Sequence, residues 1–167
     1  MLFALLLLVS APSPQPAGEL IAVFVTAPTR DGFIDTTREI QDSIKDVRQY
    51  LRGKKDIAVV DSASQADVVL TIVTRGVGSE NWGQRTRVYR GYYSGTDITT
   101  VPIVANTFWV SAVLKTGTYQ RELVGTMTQE SAYSLGAWTT CAERIAKDLR
   151  AWAGTNAEQL KARRVTR

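Results

Sequence analysis

A single cysteine, Cys141, and no histidine stand in a chain of 167 residues, and this shortage limits the fold before any pattern is read. No disulfide can form within the chain and no His-ligated metal can staple it, so an apolar core has to hold whatever structure forms. Apolar residues make up 44% of the chain, enough for one such core and too few for two comfortable domains. The same shortage removes chemistry, because a Ser-His-Asp triad and a Cys-His dyad both need an imidazole.

Leu2 to Val9 is an unbroken apolar run, followed by Ser10-Ala11 and the Pro-rich Pro12-Ser-Pro-Gln-Pro16. About eight apolar residues are roughly half or less of what a bilayer-spanning helix needs, but they have the length of a signal-peptide core. The compact Val9-Ser10-Ala11 offers a cleavage point, and Ala17 offers a second. No Lys or Arg precedes the run. Residues 1–18 are therefore expected to be a signal peptide with a short leader, which implies a periplasmic or secreted protein with no membrane span after cleavage.

From residue 19 the pattern is that of one α+β domain ending near residue 154. Glu19 to Thr26 is rich in β-branched residues and apolar on both faces, as a buried strand is. Ile40, Ile44, Val47 and Leu51 then recur at helical spacing. Thr36 and Glu39 have capping-box spacing before them, and Gly53 is a C-terminal stop. Further strands are expected at Ile57–Val60, Val68–Thr74, Arg85–Tyr93, Ile103–Lys115 and Tyr119–Thr128, the last two joined as a hairpin through Thr116-Gly117-Thr118. Trp138, Cys141, Ala142, Ile145, Leu149 and Trp152 mark a second helix. This order predicts a mostly antiparallel sheet of about six strands with two helices packed on one face.

The net charge of +4 is concentrated at the end of the chain. Lys161, Arg163, Arg164 and Arg167 follow the last acid, Glu158, so residues 155–167 are expected to be a basic, solvated tail while the rest of the chain is neutral.

No residue is assigned to catalysis, a cofactor or a metal. Cys141 lies in a helical packing stripe and behaves as a small apolar residue there. Asp31 and Asp35 precede a helix and suit capping, since Arg30, Phe33 and Ile34 do not fit a calcium loop. Basic and aromatic residues interleave only in Arg85-Thr-Arg-Val-Tyr-Arg-Gly-Tyr-Tyr93. That is the composition of a single-stranded nucleic-acid platform, but export would keep the protein from most nucleic acid, and edge strands commonly carry such charges. The candidate recognition surface is Trp82, Arg85, Arg87, Tyr92 and Tyr93, presented on loops 76–84 and 94–102 and on the strand edge between them.

The succession Ile21-Ala-Val-Phe-Val, an amphipathic helix, Ile57-Ala-Val-Val-Asp61 and Ala66-Asp-Val-Val-Leu-Thr71 resembles the opening of bacterial envelope proteins. These include the TolB N-terminal domain and the curli-secretion and penicillin-binding-protein-activator lipoproteins. The chain departs from the lipoprotein members in lacking an acylated cysteine. The resemblance covers residues 20–75 and implies a non-catalytic envelope module whose partner is another envelope protein. The alternatives are a His-free hydrolase built on carboxylates and a binder of anionic surfaces or nucleic acid through the basic segments.

Overall fold

A computed structural model describes residues 20–91, 95–130 and 136–165. Along the chain come β1 (Ile21–Thr26), β2 (Thr29–Arg30), β3 (Phe33–Ile34), α1 (Arg38–Leu51), β4 (Ile57–Val60), β5 (Val68–Gly91), β6 (Gly95–Thr116), β7 (Tyr119–Gln129), α2 (Ala137–Thr155) and α3 (Ala157–Val165). The expected signal peptide and leader, residues 1–18, lie outside the described residues, as do Tyr92 and Tyr93.

The class is α+β, but the sheet differs from the expected one. It has five strands in the order β4-β1-β5-β6-β7, with a separate two-stranded β2-β3 hairpin. It is mixed, because β1 pairs in parallel with both β4 and β5, while β5-β6 and β6-β7 are antiparallel. Parallel neighbours require a crossover, and α1 supplies the one between β1 and β4. The strand count falls because the segments expected as Val68–Thr74 and Arg85–Tyr93 are one strand of 24 residues. The intervening glycines read as turn residues, yet Gly76 and Gly78 lie extended beneath the Trp109 ring. A Cβ at Gly76 would come within 2.4 Å of that ring, so the position needs a residue with no side chain.

Helix α1 buries Ile40, Ile44, Val47 and Leu51 as its spacing requires, and Gly53 has the expected left-handed φ of +75°. Its start differs, since the helix begins at Arg38 and Thr37 precedes it without a side-chain cap bond. Asp35 Oδ1 instead accepts the Thr37 N–H at 2.8 Å. Helix α2 buries Cys141, Ala142, Ile145, Ala146 and Leu149. Both helices pack against each other and on one face of the sheet, where Val23, Val68, Leu70, Ile72, Val110, Ala112 and Leu114 complete the core. Gly125 of β7 lets the α2 backbone come close, because a Cβ there would sit 2.0 Å from the Cys141 carbonyl oxygen.

Residues 155–167, expected as a basic tail, contain α3. Leu160 is buried in the core cluster. Arg163 donates to the Thr116 carbonyl at 3.2 Å, and Arg164 pairs with the buried Asp67 and donates to the Leu20 carbonyl. Asp67 also accepts the Ala22 N–H at 2.7 Å. Two of the charges that made this stretch look solvated, Arg163 and Arg164, therefore bind backbone and carboxylate groups at one end of the sheet. No helix among the described residues is long and apolar enough to cross a membrane.

Candidate functional site

Pairing between β1 and β5 stops at Thr26 and Thr71, and pairing between β6 and β7 stops at Asn106 and Gln129. Strands β5 and β6 continue alone, still paired with each other, from Glu80↔Ala105 out to Gly91↔Gly95. The result is a two-stranded arm about 36 Å long at ~3.3 Å per residue, projecting from the end of the sheet opposite α3. An isolated two-stranded ribbon of this kind is marginally stable in water.

The register divides the arm into two unlike faces. Val88 lies opposite Ile98, Thr86 opposite Thr100 and Gln84 opposite Pro102, and no charge interrupts this face between those positions. Val88 and Ile98 are 61% and 65% exposed there. The other face carries Arg85 opposite Val101 and Arg87 opposite Thr99. A shallow groove of about 110 Å³ on this side is lined by Arg85, Arg87, Val101, Ile103 and Glu130. Arg85 Nη2 pairs with Glu130 Oε2 at 2.9 Å, which braces the arm against the residue that follows β7.

At the root of the arm the register slips between Asn81 and Gln84. Gly83 takes φ +109° there, its N–H bonded to Asn81 Oδ1 at 2.9 Å. Such a bulge re-aims the neighbouring side chain, and Trp82 stands 52% exposed beside it.

The structure therefore gathers Trp82, Arg85 and Arg87 on one strand of one projection. Tyr92 and Tyr93 fall between the arm's strands, outside the described residues. The expected loops are corrected: residues 76–84, apart from the bulge at 82–83, and 95–102 of the second are paired strand. Sequence reasoning missed Val88, Ile98 and Val104 as exposed apolar positions. It also missed Phe33 and Ile34, which are 79% and 58% exposed on the β2-β3 hairpin. Two apolar residues directly after the Asp31-Gly32 turn were the available signal for that tip.

Elsewhere the chemistry is quiet. Cys141 is fully buried, and burial pushes its thiol pKa up, with Arg144 opposing, so it is not poised as a nucleophile. Trp138 packs edge-on to Phe108 at 5.0 Å and under the Arg75 guanidinium at 3.9 Å. A second, open groove of about 350 Å³ is lined by Asp42, Lys45, Asp46, Arg75 and Trp138. Burial pushes the Asp46 carboxyl up while Arg75 pulls it down. Asp42 is exposed and Asp46 half-buried. Among the described residues no cluster of three or more His, Cys, Asp or Glu is placed to hold a metal.

No family model matches the chain, and no curated protein matches it. The likeness of residues 20–75 to envelope proteins rests on sequence pattern alone.

Proposed function

We propose that the protein is a non-catalytic, exported binding or assembly module of the bacterial envelope that contacts other proteins through the β5-β6 arm. The arm carries this reading: beyond Ala105 at its root it adds no buried residue to the core among the described residues, yet it holds Trp82, Val88 and Ile98 in water on a paired ribbon. Exposed aromatic and aliphatic residues beside arginines have the composition of a protein-contact surface. Export rests on the apolar run Leu2–Val9 and the small residues after it. The absence of histidine from the sequence and a buried cysteine leave little for covalent or acid-base catalysis to use.

The test is a triple substitution, Trp82→Ala, Arg85→Ala and Arg87→Ala, in the tagged full chain expressed in a bacterial envelope. The melting temperature is expected to stay within about 3 °C of the parent, as for exposed substitutions that cost less than ~1 kcal/mol in all, while capture of the partner falls at least tenfold. Unchanged capture, or a collapsed fold, counts against the arm as the contact surface. Mass spectrometry of the mature N-terminus tests export separately: a chain that still begins at Met1 in the envelope fraction contradicts cleavage.

A further inference from the structure

Both long helices lie on one face of the sheet, and among the described residues no helix covers the other. That open face is mixed: Thr71, Ser111, Lys115, Glu122, Thr126 and Thr128 share it with a set of apolar residues. Val60 of β4, Phe24 of β1, Val69 of β5, Trp109 and Val113 of β6 and Val124 of β7 all point to it by register. Phe24, Val60, Val69, Trp109 and Val113 are half-buried and Val124 is 46% exposed. Within β5 and β6, Val69, Trp109 and Val113 form an apolar patch on this face, and such patches mark contact surfaces. The open face runs without a break into the arm face that bears Arg85, Arg87, Val101 and Ile103.

We propose that two copies of this chain form a two-fold dimer in which the arm of each lies across the open sheet face of the other. The inference rests on the arm being the contact surface and names its first partner as a second copy. The lengths fit. Half of the 22 residues of β6 lie in the arm, Gly95–Ala105, and half in the sheet, Asn106–Thr116. A two-fold axis parallel to the sheet and about 5 Å above its open face at that boundary, perpendicular to the strands, sets each arm along the partner's β5 and β6 with no overhang.

The area fits as well. An arm about 36 Å long and ~10 Å wide covers roughly 350 Å², and because each copy both gives an arm and receives one, each buries about 700 Å². A stable specific interface buries about 800 Å² per partner. Packing the uncharged arm faces of two copies together, by contrast, buries about half as much, which is too little. Pairing arms edge to edge is opposed by Pro102, which removes a donor from a free edge. The interface is isologous, so it closes at two copies and does not propagate. The alignment sets Thr99 of one copy over Ser111 and Val113 of the other. Because Arg87 pairs with Thr99 and Val113 with Thr71, it also sets Arg87 over the partner's Thr71. Trp82, Val88 and Ile98 are left for a different protein.

Sedimentation velocity of the full chain between 1 and 100 µM tests the dimer. A concentration-dependent dimer is expected. Val101→Glu and Val113→Glu each raise its Kd by about tenfold. Cross-linking tests the arrangement cleanly, because the one native thiol is buried. Under mild oxidation, Thr99→Cys mixed with Val113→Cys gives a disulfide-linked heterodimer, and Ile98→Cys mixed with Val113→Cys does not. A chain that stays monomeric at 100 µM overturns the inference, and so does a dimer in which Ile98 cross-links in place of Thr99. If the monomeric chain still loses its envelope partner on substitution of Trp82, Arg85 and Arg87, the binding reading stands and only the self-association falls.

Discussion

Arg164 is the residue whose role is most at odds with its composition class. It lies in the most basic stretch of the chain, yet it is the countercharge to Asp67, whose side chain is 6% exposed. Removing one partner of such a pair leaves a buried charge without compensation, which costs more than the pair contributes. Arg164→Ala is expected to lower stability by about 2 kcal/mol or more, and Asp67→Asn by less, because an amide oxygen still accepts the Ala22 N–H. Urea denaturation of the two variants measures the order, and equal losses would contradict it. Asp56 behaves differently. Arg150 donates to both its oxygens at 2.9, 3.0 and 3.2 Å, and these bonds hold its carboxyl below the ordinary range. A depressed folded pKa stabilises above the unfolded value and is lost as pH falls through the folded one. The stability difference between the parent and Asp56→Asn should therefore be constant from pH 7 to about pH 5 and shrink below about pH 4. Both side chains are partly exposed, so solvent screening limits the difference to about 1 kcal/mol or less. A difference that grows on acidification would contradict the assignment.

At the scale of elements, the join between β7 and α2 is the tightest. The Cys141 backbone leaves no room for a Cβ at residue 125, so Gly125→Ala should cost about 2–3 kcal/mol, read as a lower urea midpoint at unchanged slope. The arm is the loosest element, with neither face buried and both edges free. Amides 84–88 and 98–102 should exchange hydrogen orders of magnitude faster in dilute solution than 68–72 and 108–114, which lie in the core. Comparable protection would show the arm to be part of the folded body. These two elements also mark what was legible from sequence. The α1 and α2 stripes were readable because helix spacing puts Ile40, Ile44, Val47 and Leu51 on one side regardless of what lies nearby. The arm was not, because Gly76, Gly78, Gly83 and Pro102 are turn-formers whose strand conformation depends on Trp109, on the bulge and on a free edge, all of them long-range facts. Helix α3 was hidden for a similar reason: the acceptors of Arg163 and Arg164 are the Thr116 carbonyl and Asp67, distant in the chain. At the site, Trp82, Arg85 and Arg87 were found through their unusual mixture of types, whereas Val88 and Ile98 look like core residues until the strand is seen to leave the sheet.

For the whole molecule, the architecture separates two tasks. The body closes its core with α1, α2 and α3 on a five-stranded sheet, and the arm leaves that body where no other strand follows. The account's central claim is that the body folds without the arm, so that the arm is free to make contacts. Replacing residues 81–104 by an Asn-Gly turn joins Glu80 to Ala105, which already pair, and suits a tight hairpin. The direct measurement is the thermal unfolding midpoint of this shortened chain against the full chain, both at about 1 µM so that association adds little to apparent stability. The account predicts one cooperative transition within about 3 °C of the parent. A midpoint lower by 10 °C or more, or the loss of a cooperative transition, would place the arm within the fold and contradict the division.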